Sequence, residues 1–451
     1  MRPRYGTVDD RAAARPAGSI RRVVTPANPS SALAPSLPLR ARLAVGVGRV
    51  VAGASRLTHI GSGSVIGGRA SLLVEPRLLE RTSAGREVVL VSATNGKTTT
   101  TRFLTAALAD DRPVVSNWLG ANMTPGLVAA LGAADRRQTT AVLEVDERWI
   151  EQVLSATRAA TVVLLNLSRD QLDRTQEVRD LAAQWRRALE RHRPATVVAN
   201  ADDPLVAWAA MAAPSVRWVA TGRRWVADAT GCPACGGRIA FDDVAWHCES
   251  CALRRPTPDA IVDDDTVVLD GAPIPLALAL PGRINAVNAA FALTAAAALG
   301  VDPRRAAVAL GSVREVAGRY RTAAVAGTDV RLLLAKNPAG WAEALELLDH
   351  GSTPMVAAIN ARIADGHDPS WLWDVEFERL SRRFVVAIGE RRHDLAVRLR
   401  YAGVDHTIAD DLPSALAIVG RTTGHDPAQP VDVASNYTAF QDHLALVGGT
   451  R

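Results

Sequence analysis

The sequence predicts an α/β protein: a phosphate-loop (P-loop) central domain on a parallel-rich sheet, interrupted by a zinc-ribbon insertion and followed by a Rossmann-like α/β domain. Three observations predict it. The β-branched run 88–91 leads through Ser92-Ala93-Thr94-Asn95-Gly96 into Lys97-Thr98 and a helical stretch, 98–109. Short apolar runs then alternate with helical stretches, the pattern of parallel strands with helices on both faces. Two Cys-x-x-Cys pairs, Cys232/Cys235 and Cys248/Cys251, use all four cysteines of the chain.

The strand–loop–helix element comes first. Its backbone N–H groups and the positive end of the helix dipole converge where an anion would sit. In such a loop Lys97 reaches the β- and γ-phosphates of a nucleotide, and the Thr98 hydroxyl sits on Mg²⁺. The loop departs from the standard pattern at Val91, where a glycine is usual, and at Ala93. Lysine usage sharpens the reading. Of 52 basic residues all but Lys97 and Lys336 are arginine, so a compact point charge has been kept in two places.

At 451 residues the chain has room for two or three domains. Its 48% hydrophobic and 22% charged content describes an ordinary globular protein with ample core. The net charge of +5 permits anionic partners without demanding them. The Arg-, Ala- and Pro-rich segment 1–38 reads as a disordered extension without a signal peptide. No run is apolar enough to span a membrane, and the expected compartment is the cytoplasm. The segment 39–57 is basic and apolar. The glycine-rich stretch after it, Gly61 to Arg69, reads as lead-in helix and turn rather than a second phosphate loop, since no clear strand precedes it.

Strands are expected at 88–91, 141–145, 161–165 and 196–199. Ligands of such sheets bind at the carboxyl ends of the strands. There stand Glu144 and Asp146, then Asn166 and Asp170-Gln171-Leu172-Asp173, then Asn200-Ala201-Asp202-Asp203-Pro204. A carboxylate in that position suits Mg²⁺, although each acid taken singly also suits a helix cap.

These residues together resemble the ATP-binding central domain of the Mur ligases. Pro281-Gly282-Arg283-Ile284-Asn285-Ala286-Val287-Asn288 resembles their adenine-side motif, and Gly318-Arg319 their arginine before the C-terminal domain. The resemblance implies a central domain over 39–322, with the ribbon at 228–258, and a Mur ligase-type C-terminal domain over 323–451. It also implies the chemistry: a carboxylate is phosphorylated by ATP and an amine attacks the acyl phosphate. Two features depart from ordinary members. Gln171 stands where they carry His, and no lysine lies between Lys97 and Lys336 to be carbamylated for a second metal.

In the insertion, four thiolates make a closed tetrahedral set for Zn²⁺, with no open catalytic position. Trp225, Trp246, Arg254 and Arg255 lie nearby but do not make the dense basic–aromatic surface of a nucleic-acid binder. Beyond a helical stretch at 285–299, apolar runs at 330–335, 355–359 and 384–388 announce the second sheet. The first leads to Lys336-Asn337-Pro338-Ala339-Gly340-Trp341. The second leads to Asn360 and a loop carrying Asp365, His367, Asp368, Trp371, Trp373 and Asp374, a composition that reads as a site or interface rather than a spacer.

With Asn436-Tyr437-Thr438-Ala439 these motifs resemble one branch of the family, the MurT subunits, in which Gln171 is the ordinary residue. That resemblance implies a heterodimer with a glutaminase-type amidotransferase subunit. The pair would amidate the α-carboxyl of D-glutamate in the lipid II stem peptide to D-isoglutamine, in peptidoglycan synthesis. It implies that Thr94, Asn95, Gly96, Lys97, Thr98 and Thr99 hold ATP, with Asn288 at the adenine and Arg319 at a phosphate. Thr98 and Glu144 hold Mg²⁺, and Lys336 orients the substrate carboxylate or steadies the acyl phosphate. With every cysteine committed to zinc, the partner must bring the nucleophilic Cys and its His, and an acid of this chain orients the imidazole. Asp368 is the first choice, with Asp365 and Asp374 as alternates. Membrane contact is expected only through the lipid-linked substrate, with no nucleic acid bound. Two other readings are a stand-alone amino-acid ligase of folylpolyglutamate-synthase type and a P-loop ATPase that binds nucleic acid through its ribbon. The ribbon and the missing carbamate lysine oppose the first; the second requires ATP turnover stimulated by DNA or RNA.

Overall fold

The computed structural model describes residues 33–57, 64–117, 121–169, 178–222, 227–243, 245–314, 320–348, 351–422 and 429–448. After the helices Leu39–Leu57, Ser64–Val74 and Leu78–Ser83, the chain lays down β1 (Glu87–Ser92), β2 (Val114–Ser116), β3 (Thr140–Val145), β4 (Thr161–Leu164), β5 (Thr196–Asn200) and β6 (Val216–Ala220). A ribbon of β7 (Ile239–Phe241) and β8 (Trp246–Cys248) interrupts it before β9 (Ala260–Asp263), β10 (Thr266–Leu269) and β11 (Ala272–Pro275). The resulting nine-stranded sheet has the order β11-β10-β9-β6-β5-β4-β1-β3-β2. Its pairings are parallel except in the hairpins at β9–β10 and β10–β11.

The central strands are buried on both faces, which is why they read as unbroken apolar runs rather than alternating ones. Alternate residues of β1 serve opposite cores. Val89 and Val91 pack with Phe103 and Leu104 of the helix Lys97–Ala109 and Phe291 of the helix Arg283–Ala298. Val88 and Leu90 face Leu127, Val153 and Trp185 on the other side. All four expected strands and both expected helices are present. β2, β6 and the β9–β11 hairpins were not foreseen.

The second sheet contains β12 (Tyr320–Val325), β13 (Thr328–Leu334), β14 (Met355–Ala358), β15 (Val385–Ile388), β16 (His406–Ile408) and β17 (Val431–Ser435), in the order β12-β13-β17-β14-β15-β16. Only β12 is antiparallel. Cores lie on both faces, one around Trp341 and Phe377 and one around Leu412 and Phe440, as a Rossmann-like domain requires. Because β17 lies between β13 and β14, Asn436 meets the loop after β14: its side chain donates to the Asn360 carbonyl at 2.7 Å and accepts from the Asn360 N–H at 3.0 Å.

Two boundaries are corrected. The division expected at 322/323 cuts β12, which pairs along its whole length with β13, so the C-terminal domain begins no later than Tyr320. The extension expected to be disordered to residue 38 is ordered from Leu33: Ala34 is buried and pairs with Arg136 through its N–H at 2.8 Å and its carbonyl at 2.6 Å. Residues 1–32 lie outside the described residues. Gly67 and Gly68 belong to the helix Ser64–Val74. A Cβ on Gly68 would stand 1.9 Å from the Pro125 carbonyl oxygen, so here glycine serves helix packing. No helix among the described residues is long and apolar enough to cross a membrane.

Candidate active site at the junction of the two domains

β1 ends at Ser92, and the loop turns at Gly96, whose φ of +87° favours glycine. A Cβ there would also meet the Asn288 side-chain oxygen at 2.5 Å. The loop is stitched to the segment after β4. Asn95 N–H donates to Asn166 Oδ1 at 2.9 Å, and Asn166 Nδ2 donates back to the Asn95 carbonyl at 3.0 Å. Thr94 Oγ1 donates to the Ser168 carbonyl at 3.1 Å and accepts from the Ser168 N–H at 3.0 Å. Asn166 thus shapes the phosphate loop. Asp170, Gln171 and Asp173, like Arg319, lie outside the described residues.

Lys97 is buried at the first turn of its helix. Its ammonium donates to the Ala93 carbonyl, to the Thr94 carbonyl at 3.2 Å and to Glu147 Oε2 at 3.0 Å. Both charges of that pair are nearly dry, with side-chain exposures of 5% and 6%. Glu147 was missed in the sequence because it stands three residues beyond the strand-end Glu144, in what looks like an ordinary helix lead-in. Thr98 and Thr99 are buried beside Lys97.

Glu144 is 2% exposed. Asn117 clamps its backbone with two hydrogen bonds of 2.8 Å, and Asn122 donates to Oε1 at 3.3 Å. Its Oε2 is buried with no hydrogen-bond partner among the described residues. A buried, unsatisfied carboxylate oxygen is costly. A hard cation that takes oxygen ligands satisfies it, so the donor set fits Mg²⁺. Asp146 instead accepts from the N–H of Arg148 at 3.1 Å and closes its own turn.

Across the loop lies a cleft of ≈ 260 Å³, lined by Asn95, Gly96 and Thr99 on one side and Lys336, Gly340 and Glu343 of the C-terminal domain on the other. Asn288, buried on its helix, lines the same cleft and holds Thr100 Oγ1 at 3.3 Å. Asn337, fully buried, reaches over the junction: Asn95 Nδ2 donates to its Oδ1 at 3.1 Å, and its Nδ2 donates to Asn95 Oδ1 at 3.4 Å. The residue after Lys336 thereby fastens one domain to the phosphate loop of the other.

The Asn200–Pro204 motif does framework work. Asp203 caps the helix Pro204–Ala210 and accepts from the N–H groups of Leu205, Val206 and Leu167; burial nonetheless pushes its carboxyl up to about 6. Asp202 accepts from the Thr221 and Gly222 N–H groups and pairs with Arg255 of the insertion at 2.5 Å. Trp246 is fully buried and donates to the Ala201 carbonyl at 2.9 Å. The ribbon is therefore docked on this loop. Its four Sγ atoms lie within 4.8 Å of one another, with Cys232–Cys251 at 3.7 Å and Cys235–Cys248 at 3.5 Å. Tetrahedral Zn–S bonds set the sulfur separation at about 3.8 Å. The Gly237 and Ser250 N–H groups donate to Cys235 and Cys248 at 3.4 and 3.3 Å, as thiolate ligands favour.

The loop after β14 separates its three acids. Asp365 is buried and accepts from the Thr438 N–H at 2.9 Å, the Thr438 hydroxyl and the Arg362 N–H, so it holds the loop shut from inside. Asp374 pairs with Arg169 of the central domain at 3.4 Å. Asp368 is exposed beside His367 and accepts from the Ser370 N–H at 2.8 Å, which holds its carboxyl below the usual carboxylate range.

Residues 91–296 match the Mur ligase middle domain, and residues 334–440 match the MurT ligase C-terminal domain. The chain is 28% identical over 421 residues to the lipid II isoglutaminyl synthase (glutamine-hydrolyzing) subunit MurT of Streptococcus pneumoniae, covering 87% of this chain and 94% of that one. The subunit of the same name in Staphylococcus aureus is 28% identical over 347 residues, 71% of this chain and 78% of the other. Among solved structures, a pseudomurein peptide ligase type C from Methanothermus fervidus superposes with a TM-score of 0.61 at 19% identity, over 80% of this chain and 78% of that one. MurF from Acinetobacter baumannii gives 0.60 at 16% identity, over 84% and 80%. These likenesses establish the fold.

Proposed function

Because the chain belongs to the Mur ligase family and ends in the MurT-type C-terminal domain, a carbon–nitrogen ligase, we propose that it is the ligase subunit of a lipid II isoglutaminyl synthase. It activates the D-glutamate α-carboxyl of the stem peptide with ATP and amidates it, in peptidoglycan synthesis. One observation carries the reading: the phosphate loop and Lys336 face each other across a single cleft, so nucleotide and carboxylate meet between the domains.

The reaction has two steps. A carboxylate oxygen attacks the γ-phosphorus and ADP leaves; ammonia then attacks the acyl carbon and inorganic phosphate leaves. Lys97 exchanges Glu147 for the β- and γ-phosphates and stabilises charge on the transferring group. Thr98 and Glu144 would hold Mg²⁺, which would supply further positive charge there. Asn288 borders the adenine, and Lys336 orients the carboxylate. Arg319, by resemblance, takes a phosphate.

The ammonia comes from a partner. All four cysteines of the chain stand in one cluster, leaving no thiol to hydrolyse glutamine, so a glutaminase subunit provides the Cys and His. Asp368 is the only one of the three candidate acids that is exposed and outside an ion pair or a buried network among the described residues, and it completes the triad across the interface. The test is amide formation on lipid II with ATP. The chain alone should use ammonium and not glutamine, and addition of the glutaminase should confer glutamine use. Absence of amide with either nitrogen source overturns the reading.

The cysteine cluster takes Zn²⁺ and pins the ribbon to the Asn200–Asp203 loop. Cys232→Ser should therefore lower stability by roughly 3 kcal/mol, a fall in Tm on the order of 5–10 °C, and release zinc measurable with a chromogenic chelator. Unchanged melting and metal content would remove the zinc assignment.

A further inference from the structure

The ligase chemistry leaves one surface unused. The helix Leu39–Leu57 and the helix Ser64–Val74 contain no acidic residue. The first buries only small residues, Ala41, Ala44, Gly48 and Ser55. It lies so close to the second that a Cβ on Gly67 would stand 2.5 Å from the Gly48 carbonyl oxygen. Val45 packs against the core, but most of the large apolar side chains point the other way. Leu39, Leu43, Val50 and Leu57 are 73%, 58%, 73% and 83% exposed, at the four- and seven-residue steps that line one stripe of a helix. Arg40 borders the stripe on one side and Arg42, Arg49 and Arg56 on the other. On the second helix, Ile66 and Leu73 are exposed with Arg69 between them. An ordinary surface helix hides its leucines and shows its charges. This one hides alanines and shows leucines.

An exposed apolar stripe rimmed by cations marks an interaction site. We infer that the two helices dock this protein in the plane of an anionic lipid bilayer, the leucines entering the acyl boundary and the arginines meeting headgroup phosphates. Charge selects this occupant. Arg40 and Arg49 are held on the rim by neutral carbonyls, Val74 and Gly132, each at 2.9 Å, which leaves the charge of Arg49 for headgroups. Among the described residues one acid, Glu75, meets the rim, paired with Arg40 at 3.8 Å. The same rim repels a second copy of itself. The segment 1–32, with six arginines against two aspartates, does not complement the charge of the rim either. The inference does not rest on the proposed reaction: it needs neither ATP nor a lipid-linked peptide.

The experiment is flotation of the full chain with phosphatidylglycerol–phosphatidylcholine vesicles and with pure phosphatidylcholine vesicles, both free of lipid II. The chain should float with the anionic vesicles only, and less as salt rises. The pair Leu43→Glu/Val50→Glu should weaken binding at least about tenfold, and Arg56→Gln/Arg69→Gln by roughly thirtyfold. All four positions are exposed, so melting should stay at the wild-type value and misfolding is checked directly. Wild type that stays behind, or floats equally on neutral vesicles, overturns the inference. So do glutamate variants that float like wild type. Variants that turn a dimer into a monomer in light scattering while flotation persists would assign the face to a second copy instead.

Discussion

Lys97→Met should cut ATP-dependent amide formation by roughly 10²–10³-fold, and the loss should survive restoration of stability. The two effects separate because Lys97 has two partners in turn. Before nucleotide binds it neutralises Glu147 in a nearly dry pocket. Removing one member of a buried pair leaves the other charge unpaired, at a cost of about 3 kcal/mol or more. Lys97→Met alone should therefore melt early as well as fail to turn over. Lys97→Met/Glu147→Gln removes both charges and should recover most of the wild-type Tm while remaining inactive. Lys97→Arg should rescue poorly, since a planar fork does not replace a compact ammonium in so tight a loop. Thermal melts beside amide assays check the series. A double variant that regained activity with its stability would reduce Lys97 to a structural role.

Asp368→Asn should lower glutamine-driven amidation of the assembled pair by on the order of 10³-fold and leave ammonium-driven amidation intact. An asparagine keeps the geometry but cannot stabilise an imidazolium, which is why such a change is severe in triads. Because the Ser370 N–H keeps the Asp368 carboxyl low, the acid is charged throughout the neutral range. The pH profile of the wild type should accordingly follow the partner's residues rather than this one. Binding of the glutaminase, measured by gel filtration, should be unchanged. Asp365→Asn serves as the contrast: its buried bonds to Thr438 predict a fall in Tm. Loss of both nitrogen sources in Asp368→Asn would place this acid in the ligase site instead.

Much of this was legible in the chain. The strands β1, β3, β4 and β5 announced themselves because burial on both faces writes unbroken apolar runs, and the cysteine cluster because two Cys-x-x-Cys pairs have a spacing that suits a metal. Glu144 was legible as a carboxylate at a strand end. Its partners Asn117 and Asn122 were not, since amides that clamp a neighbour's backbone leave no periodic trace. The same holds for Glu147 and Asn337. Each gains its meaning from a residue far away in sequence, Lys97 and Asn95, and pairwise contacts across a domain junction are invisible to local pattern. β2 and β16 are too short for alternation to register, and β6, only partly buried over its first three residues, carries Arg217 where an unbroken apolar run would stand. Among the strand-end acids, Asp202 and Asp203 looked like site residues and serve as fasteners. Capping and ligation ask for the same side chain at the same kind of place, and only the surrounding N–H groups tell them apart.

The reciprocal amide bridge between Asn95 and Asn337 has a thermodynamic corollary. It joins the phosphate loop to the C-terminal domain, so under the proposed function nucleotide affinity and the seating of that domain on the loop are linked quantities. Whatever factor that seating adds to ATP affinity, ATP adds to the seating. The bridge carries no net charge, so that coupling should hold constant across pH and ionic strength, whereas the Arg169–Asp374 pair that also joins the domains weakens as salt is added.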